Sequence, residues 1–244
     1  MDFAVGFSSI LMLVLLFMKV PVFIAILGAA VSYFAMHPEL SQAILVQRVL
    51  AGSQSIPLLA IPFFVCAGVF MNYTGVTKRI VAFCESIVGN IIGGVGHVTV
   101  LVATLMGGLS GSNLADAAME AKMLVPEMRK RGFSNAFASV LVATSAIITP
   151  LIPPGIAMII YGSIANVSIG KLFVAGIGPG LLLCVTLMIL VAVISYKRGY
   201  TNKHPVDTSF KRVVKTFKGA FLPLCLPIVI IGGIRIGAFT PTEA

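Results

Sequence analysis

The stretch Gly107-Gly108-Leu109-Ser110-Gly111-Ser112-Asn113-Leu114-Ala115-Asp116 is polar and glycine-rich, yet it lies deep in a chain that is otherwise mostly apolar. Because serine competes for backbone hydrogen bonds and glycine resists ordering, we expect the backbone to leave the helix at Ser110-Gly111-Ser112. In a membrane, freed N–H and C=O groups are tolerated only where they are buried in protein or face a water-filled cavity. The break therefore predicts an ion or anion site between helix ends, as in transporters built from discontinuous helices.

The composition around this stretch indicates an integral membrane protein. Of the 244 residues, 58% are hydrophobic and only 10% are charged, whereas soluble domains carry roughly a quarter charged residues. The first residues, Met1-Asp2-Phe3, lack the basic region of a cleavable signal, so the first apolar stretch is interpreted as a resident span. The four cysteines show no metal or disulfide spacing.

Apolar segments of helical length predict an all-α, multi-span helical bundle. They cover about 3–19, 21–36, 56–73, 91–109, 113–128, 133–165, 174–196 and 219–237. Segments 91–109 and 113–128 are short, and the second is rich in charge, so 91–131 is interpreted as a re-entrant helical hairpin shielded by neighbouring helices. Pro38–Ala51 and Thr74–Val88 are amphipathic and are predicted to lie at the membrane interface, or to brace one part of the protein against another.

A second interruption follows the hairpin at Thr149-Pro150-Leu151-Ile152-Pro153-Pro154-Gly155. Its three prolines remove amide donors and clash with preceding carbonyls, so 133–165 is predicted to form two half-helices joined by extended backbone. The expected organisation has three parts: scaffold spans with interfacial helices over 1–90, a transport unit over 91–165, and further spans with a basic cytoplasmic loop (197–218) over 166–244.

The net charge of +9 predicts the topology. An N-terminus on the outside leaves only Arg48, Lys171 and Arg235 on the outer side, and it places the remaining basic residues on the cytoplasmic side. The hairpin then opens toward the cytoplasm. At the other end of the chain, Glu243-Ala244 resembles the first turn of another helix capped by Thr240 or Thr242, which suggests the first part of a longer polypeptide.

Asp116 follows the first break by one turn and shares a helix face with Glu120. Two interpretations stay open: Asp116 stabilises the tip or lines a solute path, or it forms a salt bridge with a basic residue of the hairpin. Glu120 and Lys122 are interpreted as solvated groups on the cytoplasmic side. His97 is interpreted as a histidine packed against a carbonyl rather than a proton carrier.

An enzymatic alternative rests on Gly108-Leu109-Ser110-Gly111, which matches the Gly-x-Ser-Gly of rhomboid-type intramembrane serine proteases. Ser110 would need a histidine within hydrogen-bonding reach as its base. His97 lies thirteen residues earlier, some 20 Å away along a helix, and His204 lies in the basic loop. A non-enzymatic function is therefore favoured.

Three stretches taken together, at 107–118, 149–155 and 239–244, resemble the large membrane subunit of the tripartite ATP-independent periplasmic (TRAP) transporters of bacteria. The resemblance implies a sodium-driven importer of organic acid anions, such as C4-dicarboxylates or sialic acids, in the inner (cytoplasmic) membrane. It also implies a small four-helix membrane subunit, a periplasmic substrate-binding protein, and an elevator motion of hairpin and broken helix against a scaffold.

The resemblance also carries over site residues. Implied sodium ligands are Ser110, Gly111, Ser112, Asn113, Thr149, Pro150, Pro153, Pro154 and Gly155. Implied substrate contacts are Ser112, Asn113 and Asp116. Oxygen-only ligation suits a hard cation such as Na+. Gly155 stands where the family often has serine, which puts a hydroxyl ligand at that position in doubt.

Overall fold

The computed structural model describes residues 3–54, 56–200, 208–240 and 243, and its regular structure is helical. These residues form eleven α-helices and two 3₁₀ turns, and none of them lies in a β-strand. The all-α prediction is thus confirmed. The chain divides into two compact units, Met1–Ser55 and Ile56–Ala244.

The first unit contains α1 (Phe3–Phe17), α2 (Val22–Ala35) and α3 (Gln42–Ser53). α1 and α2 pack against each other, and the Ser8 and Ser32 hydroxyls form a 3.1 Å hydrogen bond between them. Most of the large apolar side chains on both helices are exposed, as expected for surfaces that contact lipid or another chain.

The predicted amphipathic segment Pro38–Ala51 corresponds to α3. This helix begins after Ser41, whose hydroxyl accepts the Ala43 N–H at 3.3 Å and so acts as an N-cap. α3 buries none of its residues.

The second unit is built around one buried helix. Its α-helices within the described residues are α4 (Ala60–Tyr73), α5 (Val76–Val88), α6 (Gly94–Ser110), α7 (Asn113–Lys130), α8 (Asn135–Ser145), α9 (Ile156–Ala165), α10 (Ile169–Arg198) and α11 (Phe210–Arg235). α6 contacts α4, α5, α7, α8, α10 and α11, and nearly all of its residues are buried. This burial explains how a short helix rich in glycine is stabilised without lipid contact.

α6 and α7 form the predicted helical hairpin. α6 ends at Ser110 and is capped by Gly111, whose positive φ of 61° is the left-handed conformation that glycine adopts readily at helix ends. Ser112 is extended, and α7 begins at Asn113. The break thus lies at Ser110-Gly111-Ser112, as the sequence predicts.

α8 and α9 form the predicted broken helix, and the two halves are bent by 46°. The linking segment begins as a 3₁₀ turn over Thr149–Leu151 and is extended at Ile152 and Gly155. Pro153 and Pro154 supply no N–H for an α-helix to continue through this segment. The prediction of two half-helices agrees with this, although the link is not extended over its whole length.

α10 and α11 are longer than predicted. α10 begins at Ile169, five residues before the predicted segment 174–196, because the Ser168 hydroxyl accepts the Lys171 N–H and caps the helix. α11 begins at Phe210, so the second part of the predicted basic loop is helical. At 30 and 26 residues, these two helices are long and apolar enough to cross a membrane.

The buried face of α5 is rotated from the predicted apolar stripe. In the predicted amphipathic segment Thr74–Val88, helical spacing puts Val76, Ile80, Phe83 and Ile87 on one apolar stripe, whereas the structure buries Thr77, Ile80, Cys84, Ser86 and Val88. Ile87 is 47% exposed. α5 packs against both α6 and α11, so small polar residues face a neighbouring helix.

The last described residues form a local turn. The Thr240 N–H and hydroxyl both donate to the Glu243 carboxylate at 2.8 Å. Thr242 and Ala244, which belong to the predicted helix start, lie outside the described residues, as does His204.

Candidate functional site: the meeting point of two helix breaks

The hairpin tip and the proline link contact each other directly. The Ile156 N–H, in the first turn of α9, donates to the Gly111 carbonyl at 3.4 Å. A Cβ at Gly111 would lie 3.0 Å from the Pro154 carbonyl oxygen, and one at Gly107 would lie 2.8 Å from the Thr149 Cα. The absence of side chains on these glycines therefore allows the two breaks to approach this closely.

Ser110 and Asp116 form a buried hydrogen bond behind the tip. The Ser110 hydroxyl donates to Asp116 Oδ2 at 2.5 Å, and the Ser112 N–H donates to Ser110 Oγ at 3.3 Å. Ser110 is 3% exposed and Asp116 is fully buried. The carboxylate therefore joins the start of α7 to the end of α6 and holds the turn between them.

No salt bridge to Asp116 is found in the described part of the chain. Two of the hairpin's basic residues pair with other acids. Arg131 Nε donates to Glu127 at 3.2 Å, and its guanidinium lies 4.0 Å from Glu85 on α5. Lys130 lies 3.6 Å from Glu127. These ion pairs fasten the base of the hairpin, roughly 20 Å along α7 from Asp116.

Tyr200 lies at the same base. The Ser134 N–H donates to its hydroxyl at 3.4 Å, and its ring stacks on Phe133 at 4.4 Å. Hydrogen bonding from Arg198 and Ser134 lowers the pKa of Tyr200. The base is thus a polar and aromatic cluster, separate from the tip.

The prediction that Glu120 is solvated is wrong. Glu120 is 1% exposed, and neither of its carboxylate oxygens has a hydrogen-bond partner among the described residues. It shares the buried face of α7 with Asp116, Leu124 and Met128, which packs toward α6 because the spacing is four residues. Lys122, by contrast, is exposed.

Asp116 and Glu120 are therefore two buried carboxylates one helical turn apart. The desolvation of two buried negative charges costs more free energy than interactions with the surrounding protein recover, unless a proton or a cation neutralises them. No arginine or lysine within the described residues lies within ion-pair distance of either carboxylate.

The side chains at the tip differ in access. Ser112 is half-buried and Asn113 is exposed, with the Asn113 side-chain oxygen accepting the Leu114 N–H at 3.0 Å. Asp116 is not exposed to a solute. Of the implied substrate contacts, only Ser112 and Asn113 lie at the accessible surface of the tip.

The link supplies the remaining implied ligands. Thr149, Pro153, Pro154 and Gly155 are buried, and Pro150 is half-buried. The Thr149 hydroxyl donates to the Ala103 carbonyl at 3.5 Å. Hydroxyl and carbonyl oxygens are the donors here, and the described residues contain no cluster of His, Cys, Asp and Glu suited to a metal ion. Such a donor set fits a hard alkali cation.

Two neighbours of the tip were not anticipated. A Cβ at Gly68 of α4 would lie 3.1 Å from the Ser110 Cα, and one at Gly108 would lie 2.8 Å from the Pro227 ring of α11. Gly68 and Pro227 lie in ordinary apolar segments, and nothing local in the sequence distinguishes them.

The protease alternative requires a histidine beside Ser110. The Ser110 hydroxyl instead donates to Asp116, and His97 lies on the same helix thirteen residues away. Since His204 lies outside the described residues, the serine–histidine pair is not assembled in the part of the chain that the structure describes.

Comparison with known proteins identifies the family. Residues 9–244 match the DctM component of the tripartite ATP-independent periplasmic transporters. The chain is 42% identical over 230 residues to a sialic acid TRAP transporter large permease protein of Vibrio cholerae, covering 94% of this chain and 53% of that protein. It is 43% identical over 201 residues to the 2,3-diketo-L-gulonate TRAP transporter large permease protein of Escherichia coli K12, covering 82% and 47%.

A third relative is the ectoine/5-hydroxyectoine TRAP transporter large permease protein of Ruegeria pomeroyi, 35% identical over 237 residues, with 96% of this chain and 54% of that protein covered. The chain spans about half the length of these curated relatives. The match to the family model covers nearly the whole chain, and it contains both helix breaks. The chain therefore belongs to the DctM family of large membrane components of TRAP transporters.

Proposed function

We propose that this chain forms part of the permease of a sodium-coupled importer of organic acid anions in the bacterial inner membrane. Its N-terminus would be periplasmic, and it would act with a small four-helix membrane subunit and a periplasmic binding protein. The observation that carries the proposal is the direct contact between the Gly111 turn and the Pro153–Ile156 segment.

This contact brings together helix ends with partial charges of both signs. The C-terminal carbonyls of α6 and of the turn after α8 are partially negative and suit a cation. The N-termini of α7 and α9 are partially positive and suit a substrate carboxylate. One meeting point thus offers a place for each solute, which is the requirement for coupling them.

Buried support makes this arrangement rigid. Asp116 holds the tip through Ser110, and α4 and α11 pack closely against it. Sodium would bind to oxygens of Ser110–Asn113 and of the Thr149–Gly155 link, and the substrate would contact Ser112 and Asn113. In an elevator motion, hairpin and broken helix would move together because their breaks are hydrogen-bonded.

The names of two relatives support the proposed substrate class. Sialic acid and 2,3-diketo-L-gulonate, which appear in the names of two of them, are organic acids. We propose an organic acid anion for this chain as well, with sialic acid and C4-dicarboxylates as the first compounds to test.

The test is uptake of labelled substrate into proteoliposomes that contain the complete permease and its small subunit, with the binding protein outside. We expect uptake to require an inward sodium gradient and to fall at least tenfold in Ser112→Ala. The matched control is Ser139→Ala, an exposed serine on α8, which should transport normally. Uptake that persists without sodium, or equal uptake by both variants, would overturn the proposal.

A further inference from the structure

A groove of about 630 Å³ lies between α5 and the start of α11, away from the helix breaks. Four of its lining residues are basic: Arg79 on α5, and Lys211, Arg212 and Lys215 on α11. Its volume is in the roughly 300–1,000 Å³ range of pockets that bind small ligands. The lining contains no acidic side chain among the described residues.

The positive charge of this groove is not compensated by any acidic side chain among the described residues. Within the described part of the chain, none of the four basic side chains lies within ion-pair distance of an aspartate or glutamate. The N-terminal end of the 26-residue α11 adds a partial positive charge at the same place. Four like charges gathered in one groove repel each other, so an anion there would relieve that repulsion.

The walls of the groove are fixed by direct contacts between the two helices. The Ser86 and Thr216 hydroxyls are hydrogen-bonded at 2.9 Å, and the Phe83 and Phe217 rings lie 5.5 Å apart. The basic side chains are therefore held on two packed helices rather than on a loop.

Apolar surface continues from the groove along α11. Phe221 is 51% exposed and Leu222 is 81% exposed, within one turn of the groove residue Gly219. A basic pocket that adjoins an exposed apolar helix face suits a molecule with an anionic head and acyl chains. A free phosphate ion would use only the first of these two features.

We propose that this groove binds the phosphate group of an anionic phospholipid in the leaflet at the basic side of the protein. The ligand would bridge α5 and α11, and because α5 also packs against α6, it would steady the helix that braces the hairpin. This site is separate from the proposed sodium and substrate positions, and its test does not depend on transport.

The test uses native mass spectrometry of the complete purified permease with phosphatidylglycerol or phosphatidylcholine of the same acyl chains. We expect preferential binding of phosphatidylglycerol, and at least tenfold weaker binding in the triple variant Arg79→Gln, Lys211→Gln, Lys215→Gln. The control triple variant Arg129→Gln, Lys122→Gln, Lys197→Gln removes the same number of positive charges, but from exposed positions outside the groove. It should bind within twofold of the unmodified protein.

A second variant tests the space in the groove while it leaves the basic residues in place. Gly219 has open space at its Cβ position, so Gly219→Leu should fill the groove without altering charge or packing. It should also lose phosphatidylglycerol at least tenfold. Equal loss in both triple variants, retention of the lipid in Gly219→Leu, or displacement of the lipid by millimolar inorganic phosphate would overturn the proposal.

Discussion

At the scale of single residues, the Ser110–Asp116 pair determines how the hairpin tip is held. Both side chains are buried, and the bond between them is 2.5 Å long. A hydrogen bond contributes about 0.5–1.5 kcal/mol, or about 1.5–3 kcal/mol where one partner is charged. Asp116, the acid closest to the break, therefore has a structural function. Contact with a solute would compete with the bond from Ser110.

This arrangement predicts strong coupling between the two residues. Ser110→Ala and Asp116→Asn should each lower the thermal unfolding midpoint, and the double variant should cost less than the sum of the two. We expect a coupling energy of about 1–3 kcal/mol in a double-mutant cycle measured by thermal unfolding in detergent. Ser139→Ala combined with Asp116→Asn is the control and should be additive. Additivity in the Ser110 cycle would show that the bond does not hold the tip.

Glu120 shows what residue-level reasoning misses. The sequence places it on the same helix face as Asp116, but a charged side chain is ordinarily solvated. Its burial depends on the packing of α7 toward α6, which the local sequence does not encode. The combination of Asp116, Glu120, Leu124 and Met128 at four-residue spacing is the signal that could have predicted it.

At the scale of helices, the close approach of α6 to the proline link depends on Gly107. A methyl group there would lie 2.8 Å from the Thr149 Cα and 2.9 Å from its carbonyl oxygen. Backbone atoms cannot move aside as a flexible side chain can, so the two elements would have to separate.

Gly107→Ala should therefore destabilise the protein by about 1–3 kcal/mol and lower uptake, since it moves the two breaks apart. Gly232→Ala in α11 is the matched control, because no atom outside its own helix backbone and chain neighbours lies within 4 Å of its Cβ position. That change should be neutral or stabilise by up to about 1 kcal/mol, since alanine favours a helix. Thermal unfolding and sodium-driven uptake measure both effects. Equal behaviour of the two variants would contradict the proposed contact.

The two helix breaks could be predicted from sequence because they have local chemical causes. Serine together with glycine, and three prolines within five residues, interrupt a helix, whereas the isolated Pro126 and Pro179 lie inside α7 and α10. The starts of α10 and α11 could not be predicted from hydropathy, since Ile169 follows a serine cap and Phe210 begins a helix whose first turns are basic. The hydrogen bond from Ile156 to Gly111 joins residues far apart in the chain, and only tertiary packing brings them together.

At the scale of the whole molecule, the distribution of basic residues predicts which side of the membrane each loop faces. The hairpin base, the end of α10 and the start of α11 are basic, whereas the start of α10 carries only Lys171. The positive-inside rule would place the first three in the cytoplasm and Lys171 in the periplasm. The lipid groove would then face the cytoplasmic leaflet, where a negative surface potential attracts basic segments.

Single cysteines in a cysteine-free background test this orientation in intact cells. Lys171→Cys should react with a membrane-impermeant thiol reagent added outside, because Lys171 is exposed and predicted to be periplasmic. Lys130→Cys and Lys218→Cys, which are also exposed, should react only after lysis. Because all three positions are accessible in the structure, a difference in labelling reports the side of the membrane rather than burial. The opposite pattern would place the hairpin opening and the basic groove in the periplasm. Sodium ions that enter from the periplasm would then reach the helix breaks from the base of the hairpin instead of its tip.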